Sequence, residues 1–319
     1  MASDFEQIAI LHISDLHFAQ VLANNEFEWI KGWNGHDLTL CMALKPALDD
    51  AFDFLQLSEL DKLHIVVSGD LTAAGTAKEF AVAHSFVRGK LRINRTHRSE
   101  IGLNALDKHI VSVPGNHDHW AGKKFPPKAY TPGIMIRHFE PTPWVAKWFS
   151  PGGKLEVEVY GIDSNSIFAS GETNLLAKGG FSQTELTRVE DLLTQSTAST
   201  TRSMSRRVRI LVTHHSLSYI GGGVLRREEL EDSSQSRILD LAAKYHLVAV
   251  LTGHTHDYFC KPFNLHQDRS PWEFRSSTTF QGPPKPDGQG FWMYLLAPGW
   301  KRCYLDRSKL PLGRGIPFR

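Results

Sequence analysis

Cysteine is scarce in this 319-residue chain. Cys41, Cys260 and Cys303 are the whole supply, odd in number and widely spaced. That excludes a disulfide framework and a zinc cluster built from cysteines, and the three read as buried structural thiols. An excess of charge of one sign is also missing. Lys and Arg total 36 against 34 Asp and Glu, a net charge of +2. This lends no support to non-specific nucleic-acid binding, although a local basic patch stays open. No apolar run approaches the roughly 18 residues needed to span a bilayer. Asp4 and Glu6 stand where a signal peptide carries positive charge, and the apolar stretch after them runs straight into Asp15. The expectation is a reduced, cytoplasmic setting with no membrane span. There is no internal repeat and no clear linker, so residues 1–319 read as a single domain.

What the chain does have is ordinary globular composition, 41% hydrophobic and 22% charged, and an unusual supply of 16 histidines. Short apolar runs at Gln7–Ser14, Lys62–Ser68, His109–Val113, Leu155–Ile162, Arg207–Thr213 and residues 247–252 read as buried strands. Residues 38–57 carry leucines, Met42 and Phe52 at near-helical spacing, with Pro46 as an early break. Thr76–Val87 and residues 235–245 read as helices. Ser182 with Glu185 forms a capping box that opens a helix over 182–194. Strands near 273–279, 290–296 and 301–305 follow residue 257. Strands alternating with helices imply α/β layers around a sheet or a pair of sheets. Residues 119–150, holding Trp120, Trp144, Trp148 and many prolines, read as a cap insertion. Residues 195–206 and 281–290 read as polar and Pro/Gly surface loops.

Five segments share one layout, a strand followed by polar residues at its C-terminal end. They are Asp15-Leu-His17, Gly69-Asp70, Gly115-Asn-His-Asp118, His214-His215 and Gly253-His-Thr-His256. The open strand ends of α/β sheets are where ligands usually bind. Residues two apart on an extended segment point the same way, so Asp-x-His and His-x-His can each grip one centre. The glycines before Asp70, Asn116 and His254 permit tight turns. Carboxylates, imidazoles and one amide oxygen suit borderline divalent metals such as Mn, Fe, Zn, Co or Ni, and suit calcium poorly. A carboxylate lying between two halves can bridge two ions, a recurring device for in-line phosphoryl transfer.

This constellation resembles the calcineurin-like metallophosphoesterases, whose pattern is D-x-H, G-D, G-N-H-D/E, a later H and G-H-x-H. All five elements occur here in order over residues 15–256. The resemblance implies a four-layer α/β/β/α sandwich with two divalent transition-metal ions, Mn, Fe or Zn, at the sheet edge. It implies that Asp15, His17 and His256 hold one ion, that Asn116, His214 and His254 hold the other, and that Asp70 bridges. His117 would face the substrate and protonate the leaving group, with Asp118 or Asp70 orienting it. Of His214-His215, the first matches the family position, and neighbouring side chains on an extended segment diverge. Ala73 stands where purple acid phosphatases carry a tyrosine. The stretch Gly69–Phe80, the His-His pair and Ser276–Gln281 are similar to bacterial class III cyclic-nucleotide phosphodiesterases, whose prolines after His-His are Ser216 and Leu217 here.

Histidines outside these motifs read as packing or surface residues: His12 and His64 within strands, and His84, His97, His109, His138, His246 and His266. His119 and His36 could line a pocket or simply pack. The tryptophans at 120, 144 and 148 read as buried area more than as a base-stacking cap, and the Arg202–Arg209 cluster as a solvated loop. The expected function is hydrolysis of small phosphoesters, phosphodiesters such as 3′,5′-cyclic nucleotides first. The alternatives on the same site are a phosphomonoesterase, a nuclease and a nucleotide or lipid pyrophosphatase, and a ligand-binding scaffold of the same fold is the non-enzymatic alternative.

Overall fold

A computed structural model describes residues 7–19, 38–55, 63–89, 91–92, 100–103, 110–122, 133–170, 178–198, 206–217, 230–262, 271–280, 290–296, 301–306 and 309–312. The chain opens with β1 (Ile8–Ile13), α1 (Leu38–Leu55), β2 (Leu63–Val67), α2 (Ala77–Val87), β3 (Leu91–Arg92), β4 (Glu100–Ile101) and β5 (Ile110–Ser112). Then come β6 (Trp144–Phe149), β7 (Leu155–Gly161), α3 (Gln183–Ala198), β8 (Arg206–Val212), α4 (Asp232–Tyr245) and β9 (Leu247–Thr252). It closes with β10 (Phe259–Pro262), β11 (Trp272–Arg275), β12 (Gly290–Leu296), β13 (Lys301–Asp306) and β14 (Lys309–Leu312).

Two six-stranded sheets result, ordered β14-β13-β12-β1-β2-β5 and β10-β11-β9-β8-β7-β6. β1, β2 and β5 run parallel in the first sheet, and β7, β8, β9 and β11 run parallel in the second. Parallel strands are covered on both faces, which is why β1 reads IAILHI and is buried at every residue. The two-residue alternation of side chains sorts the strands into layers. Leu11, Ile13, Ile65, Val67, Met293 and Leu295 face a core shared with Leu44 and Leu48 of α1 and Phe80 and Phe86 of α2. Ile8, Ile10, Val66 and Tyr294 face the other way and meet Val157, Val159, Ile210 and Leu251 between the sheets. Tyr160, Leu211 and Val250 cover the outer face of the second sheet, under Val189 and Leu193 of α3 and Ile238 of α4. The layers therefore run α/β/β/α, as expected.

Several local expectations are corrected. Pro46 does not break α1, which runs on to Leu55. The ring sits on the exposed face, and the carbonyl four residues back belongs to Met42, itself 45% exposed, so water can take the bond that the proline cannot make. Met42 accordingly points away from the core. The reciprocal capping box belongs to Thr76 and Glu79 at the start of α2. At α3 only half forms: the Glu185 N–H donates to Ser182 Oγ at 3.1 Å, while the Glu185 carboxylate accepts the Asp163 N–H at 3.0 Å. α3 also continues to Ala198, into the stretch expected to be loop. Residues 144–149 are an edge strand of the second sheet and not part of a cap; β6 pairs antiparallel with β7, with Trp144 and Trp148 buried between the sheets. His36, His97, His109, His266, residues 123–132 and residues 281–289 lie outside the described residues.

Glu185 has a consequence for stability. Burial, together with the nearby Asp163 charge, pushes its carboxyl up to about 7. Between the ordinary value near 4.5 and about 7, the folded chain keeps a proton that the unfolded chain has released. Stability therefore falls as pH rises through that window, by an amount on the order of 3 kcal/mol, and flattens above it. Glu185→Gln can still accept the Asp163 N–H and does not titrate. Its unfolding midpoint is expected to gain on the native chain between pH 5 and pH 8. An equal difference at both pH values would contradict this.

Candidate metal centre

The strands that form the two sheets deliver the site residues to one edge. Asp15, Asp70 and Asn116 follow within a few residues of the ends of β1, β2 and β5, and His214 and His254 follow the ends of β8 and β9. The ladder between β1 and β2 continues past the strands in bent form. The Asp15 N–H donates to the Gly69 carbonyl at 3.1 Å, the His17 N–H to the Asp70 carbonyl at 2.9 Å and the Phe18 N–H to the Leu71 carbonyl at 3.0 Å. The bend needs unusual backbone. Asp15, His17, Asp70, His254 and His256 all have left-handed φ, between 45° and 74°, and the other described non-glycine residues with positive φ are Ala121 and His246. Non-glycine residues are strained there, and such strain gathers at functional sites.

The glycines before the motif residues act mainly through space. Gly69 does have φ +100°, yet a Cβ on it would lie 2.4 Å from His214 Nδ1. A Cβ on Gly115 would lie 2.1 Å from Asp70 Oδ1, and one on Gly253 would lie 1.9 Å from Ser14 Oγ. The expectation that all three supply tight turns is corrected for the last two: close approach is what requires them.

Three groups form among the described residues, each with ligand atoms within 4.8 Å of one another: Asp15, His17 and His256; His17, Asp70 and His117; and Asp70, His214 and His254. Asp70 belongs to two of them. Its Oδ2 is 3.4 Å from His214 Nε2, 3.6 Å from His17 Nε2 and 3.9 Å from His117 Nε2. His256 Nε2 is 3.2 Å from Asp15 Oδ1, and Asp15 Oδ2 accepts the His254 N–H at 3.0 Å. Asn116 Oδ1 and His254 Nδ1 each approach His214 Nε2 to 3.2 Å. All seven expected ligand residues thus meet around one centre. His215 joins none of these groups; its Nδ1 meets Ser164 Oγ at 2.7 Å, and its ring packs 4.4 Å from that of His254.

The donor set fits divalent transition metals. His214 Nδ1 lies 2.8 Å from the Ser68 carbonyl, which can only accept, so Nδ1 carries hydrogen and Nε2 faces the cluster. Burial opposes charge on this ring, but the Asp70 carboxylate pushes it up to about 9, so an ion would have to displace the Nε2 proton. His17 Nε2, which faces Asp15 and Asp70, is buried with no hydrogen-bond partner. Such an atom is costly unless something coordinates it. Burial, together with neighbouring His117, pushes the His17 imidazole down to about 3, and burial beside His215 and His214 holds His254 well below its ordinary value. Both rings are therefore neutral, as ligation demands. Burial opposes charge on Asp70 and Asp15, but the surrounding histidines, His214 for Asp70 and His256 for Asp15, keep both carboxyls ionised.

His117 stands at the rim of this centre, its side chain 13% exposed. Its Nδ1 lies 2.8 Å from the Ala73 carbonyl, so Nδ1 carries hydrogen and Nε2 faces Asp70. Its ring stacks on Trp120, with centroids 3.7 Å apart. Of the two expected orienting partners, Asp70 meets His117, its Oδ1 accepting the His117 backbone N–H at 2.9 Å, whereas Asp118 makes no bond to the ring, and that half of the expectation is corrected. Asp118 is fully buried and accepts from the N–H groups of Leu71, Thr72 and Gly115 and from the Thr72 hydroxyl. Its geometry suits holding the loops after β2 and β5 together. Burial and the Asp70 charge push its carboxyl up to about 7, while the Gly115 N–H, the Thr72 hydroxyl and the Leu71 N–H oppose that rise. His119, left open by the sequence, pairs with buried Asp163 at 3.1 Å. His12 packs in the core between Tyr294 and Ser68, and His64 stacks on Trp148. No helix among the described residues is long and apolar enough to cross a membrane.

Sequence reasoning missed Glu273 and Arg275, both fully buried beneath the His254–His256 turn. A charged pair inside a strand of apolar residues was the available signal.

With the geometry in place, comparisons with known proteins add the following. The family model described as calcineurin-like phosphoesterase matches residues 8–258. No curated protein matches the chain. A solved structure of GAP50, described as the anchor in the inner membrane complex of Plasmodium, is similar at a TM-score of 0.56 and 9% identity, over 98% of this chain and 90% of that one. A dimetal phosphatase from Danio rerio is similar at a TM-score of 0.55 and 12% identity, over 97% and 96% of the two chains. At these identities the likeness is one of fold, and fold alone does not choose between an anchor and an enzyme.

Proposed function

The chain belongs to the calcineurin-like phosphoesterase family, and from that premise we propose a phosphodiesterase that acts through a dinuclear centre on small diesters such as 3′,5′-cyclic nucleotides. Metal-dependent phosphoester hydrolysis is the family's chemistry; the preference for diesters and the residue roles are our reading. The observation that carries it is the overlap of three-residue His/Asp groups on Asp70 and His17, with His256 at one end and His214 and His254 at the other.

In this reading Asp15, His17 and His256 hold one ion, Asn116, His214 and His254 hold the second, and Asp70 reaches both. When bound, the two ions supply polarisation of the phosphoryl oxygens and an attacking water of lowered pKa. The chain's own residues do the rest. The Ser68 carbonyl fixes the tautomer of His214, and the Ala73 carbonyl fixes that of His117. The donor to the leaving oxygen is His117 as the imidazolium, which keeps Nδ1–H on the Ala73 carbonyl and gives up the Nε2 proton; the bond to Ala73 and the stack on Trp120 place it beside the centre. Asp118 is a positioning residue, tying the loop that carries His117 to the loop that carries Asp70. The intact ligand set argues for an enzyme over a scaffold of the same fold. Mn, Fe and Zn all suit the donors.

The diester preference rests on the likeness of Gly69–Phe80 and His214-His215 to class III cyclic-nucleotide phosphodiesterases. Hydrolysis of bis-p-nitrophenyl phosphate with Mn²⁺ is expected, faster than that of p-nitrophenyl phosphate. A panel adding cyclic nucleotides and oligonucleotides tests this. A monoester preferred tenfold or more would overturn the diester reading and leave the metal-centre reading standing.

A further inference from the structure

A buried ion pair on β11 joins the two ligand turns of the second sheet. Glu273 and Arg275 are both 0% exposed, with Arg275 Nη2 3.2 Å from Glu273 Oε1. The same Oε1 accepts the Leu217 N–H at 3.0 Å, three residues after His214, and the Thr252 hydroxyl at 3.0 Å, two residues before His254. From the other end of the guanidinium, Nη1 donates to Thr255 Oγ1 at 3.1 Å. Thr255 is the residue between His254 and His256, and the guanidinium also lies over the Phe259 ring at 4.9 Å. The segment beyond continues the support: Ser277 Oγ donates to the His256 carbonyl at 2.6 Å, and Thr278 Oγ1 to the Asp15 carbonyl at 2.8 Å.

A buried ion pair is weak as a stabiliser, because losing water offsets much of the mutual attraction. This one places Glu273 Oε1 and Arg275 Nη1 on turns that carry ligands. We propose that Arg275 is a positioning residue for the metal centre, holding the His254-Thr255-His256 turn in its strained left-handed form through Thr255 Oγ1, while Glu273 locks the guanidinium and the His214 loop to the same strand. The inference rests on the reading that His254 and His256 are metal ligands. The turn needs such a hold, since both histidines have positive φ and would relax toward ordinary backbone if released. Partners that orient ligating side chains typically change metal affinity by about 10–100-fold when removed.

Thr255→Val tests this with least disturbance, since it keeps the shape and the Glu273–Arg275 pair and removes only the hydroxyl. Titration with Mn²⁺, followed by calorimetry, is expected to show affinity weakened by about tenfold or more. The melting midpoint of the metal-free protein is expected to stay within a few degrees of the native chain. Thr255→Ser keeps the hydroxyl and is expected to bind Mn²⁺ as the native chain does. Native affinity in Thr255→Val, or the same loss in Thr255→Ser, overturns the proposal. Should Thr255→Val fail to fold, Thr255→Ala is titrated in its place and judged by the same outcomes. A native chain that binds no Mn²⁺ would instead overturn the metal-centre reading itself.

Discussion

Replacing Asp70 with asparagine is expected to strip the centre of both ions, or to leave nearly no activity, in a chain that still folds. Among the described residues its carboxylate is the one within 4 Å of both His17 and His214, at 3.6 and 3.4 Å, and so the one that can serve both clusters. An amide presents one neutral oxygen and a donor NH₂, which a second cation would repel. Metal ions contribute several kcal/mol of transition-state charge stabilisation, and losing about 4 kcal/mol slows a reaction roughly a thousandfold. The fold should tolerate the change, because the amide oxygen of the replacement can still accept the His117 N–H that Asp70 Oδ1 takes at 2.9 Å. Metal content per chain and turnover of bis-p-nitrophenyl phosphate measure both halves of the expectation. An Asp70→Asn protein that keeps two ions and more than a tenth of the native rate would refute the bridging role.

The second large effect concerns His117. Its Nε2 faces the cluster with Nδ1 anchored to Ala73, which is the geometry of a proton donor. Yet His117 also forms a three-residue group with His17 and Asp70 whose ligand atoms lie within 4.8 Å, which is the geometry of a ligand. His117→Ala separates the two. As a general acid it contributes about 10²–10⁴-fold, and that loss should appear with ribose or alkyl leaving groups, which need a proton. It should be much smaller with p-nitrophenolate, which is stable without one. Metal content should be unchanged. Loss of an ion would make His117 a ligand, and equal losses across leaving groups would point to stabilisation of the phosphoryl oxygens instead.

The strands and the order of the motifs were legible because both depend on local pattern. A strand buried on both faces has to be an apolar run, and motif residues that end such runs must sit at a sheet edge. Trp144–Phe149 was misread because its prolines suggested an insertion. Pro143 lies just before the strand and Pro151 just after it, where prolines are compatible with a sheet. What remained illegible was long-range. The Asp118 carboxylate is claimed by backbone N–H groups 46 and 47 residues away, so adjacency to His117 in the chain misled. Glu185 looked like a cap and serves Asp163 instead. Glu273 and Arg275 acquire their meaning only when β11 is laid beside β9.

The left-handed backbone at Asp15, His17, Asp70, His254 and His256 has a consequence for how this chain can change. Each such residue costs on the order of 1 kcal/mol or more, and five together approach the roughly 5–15 kcal/mol of net stability of a typical domain. Glycine at any of these positions would relax the main chain while deleting a donor. Selection for thermal robustness alone would therefore erode the centre one turn at a time, and only a continuing demand for the reaction opposes it. Efforts to make the protein sturdier should leave these five residues alone and look to the outer helices, where stability and activity are not in competition.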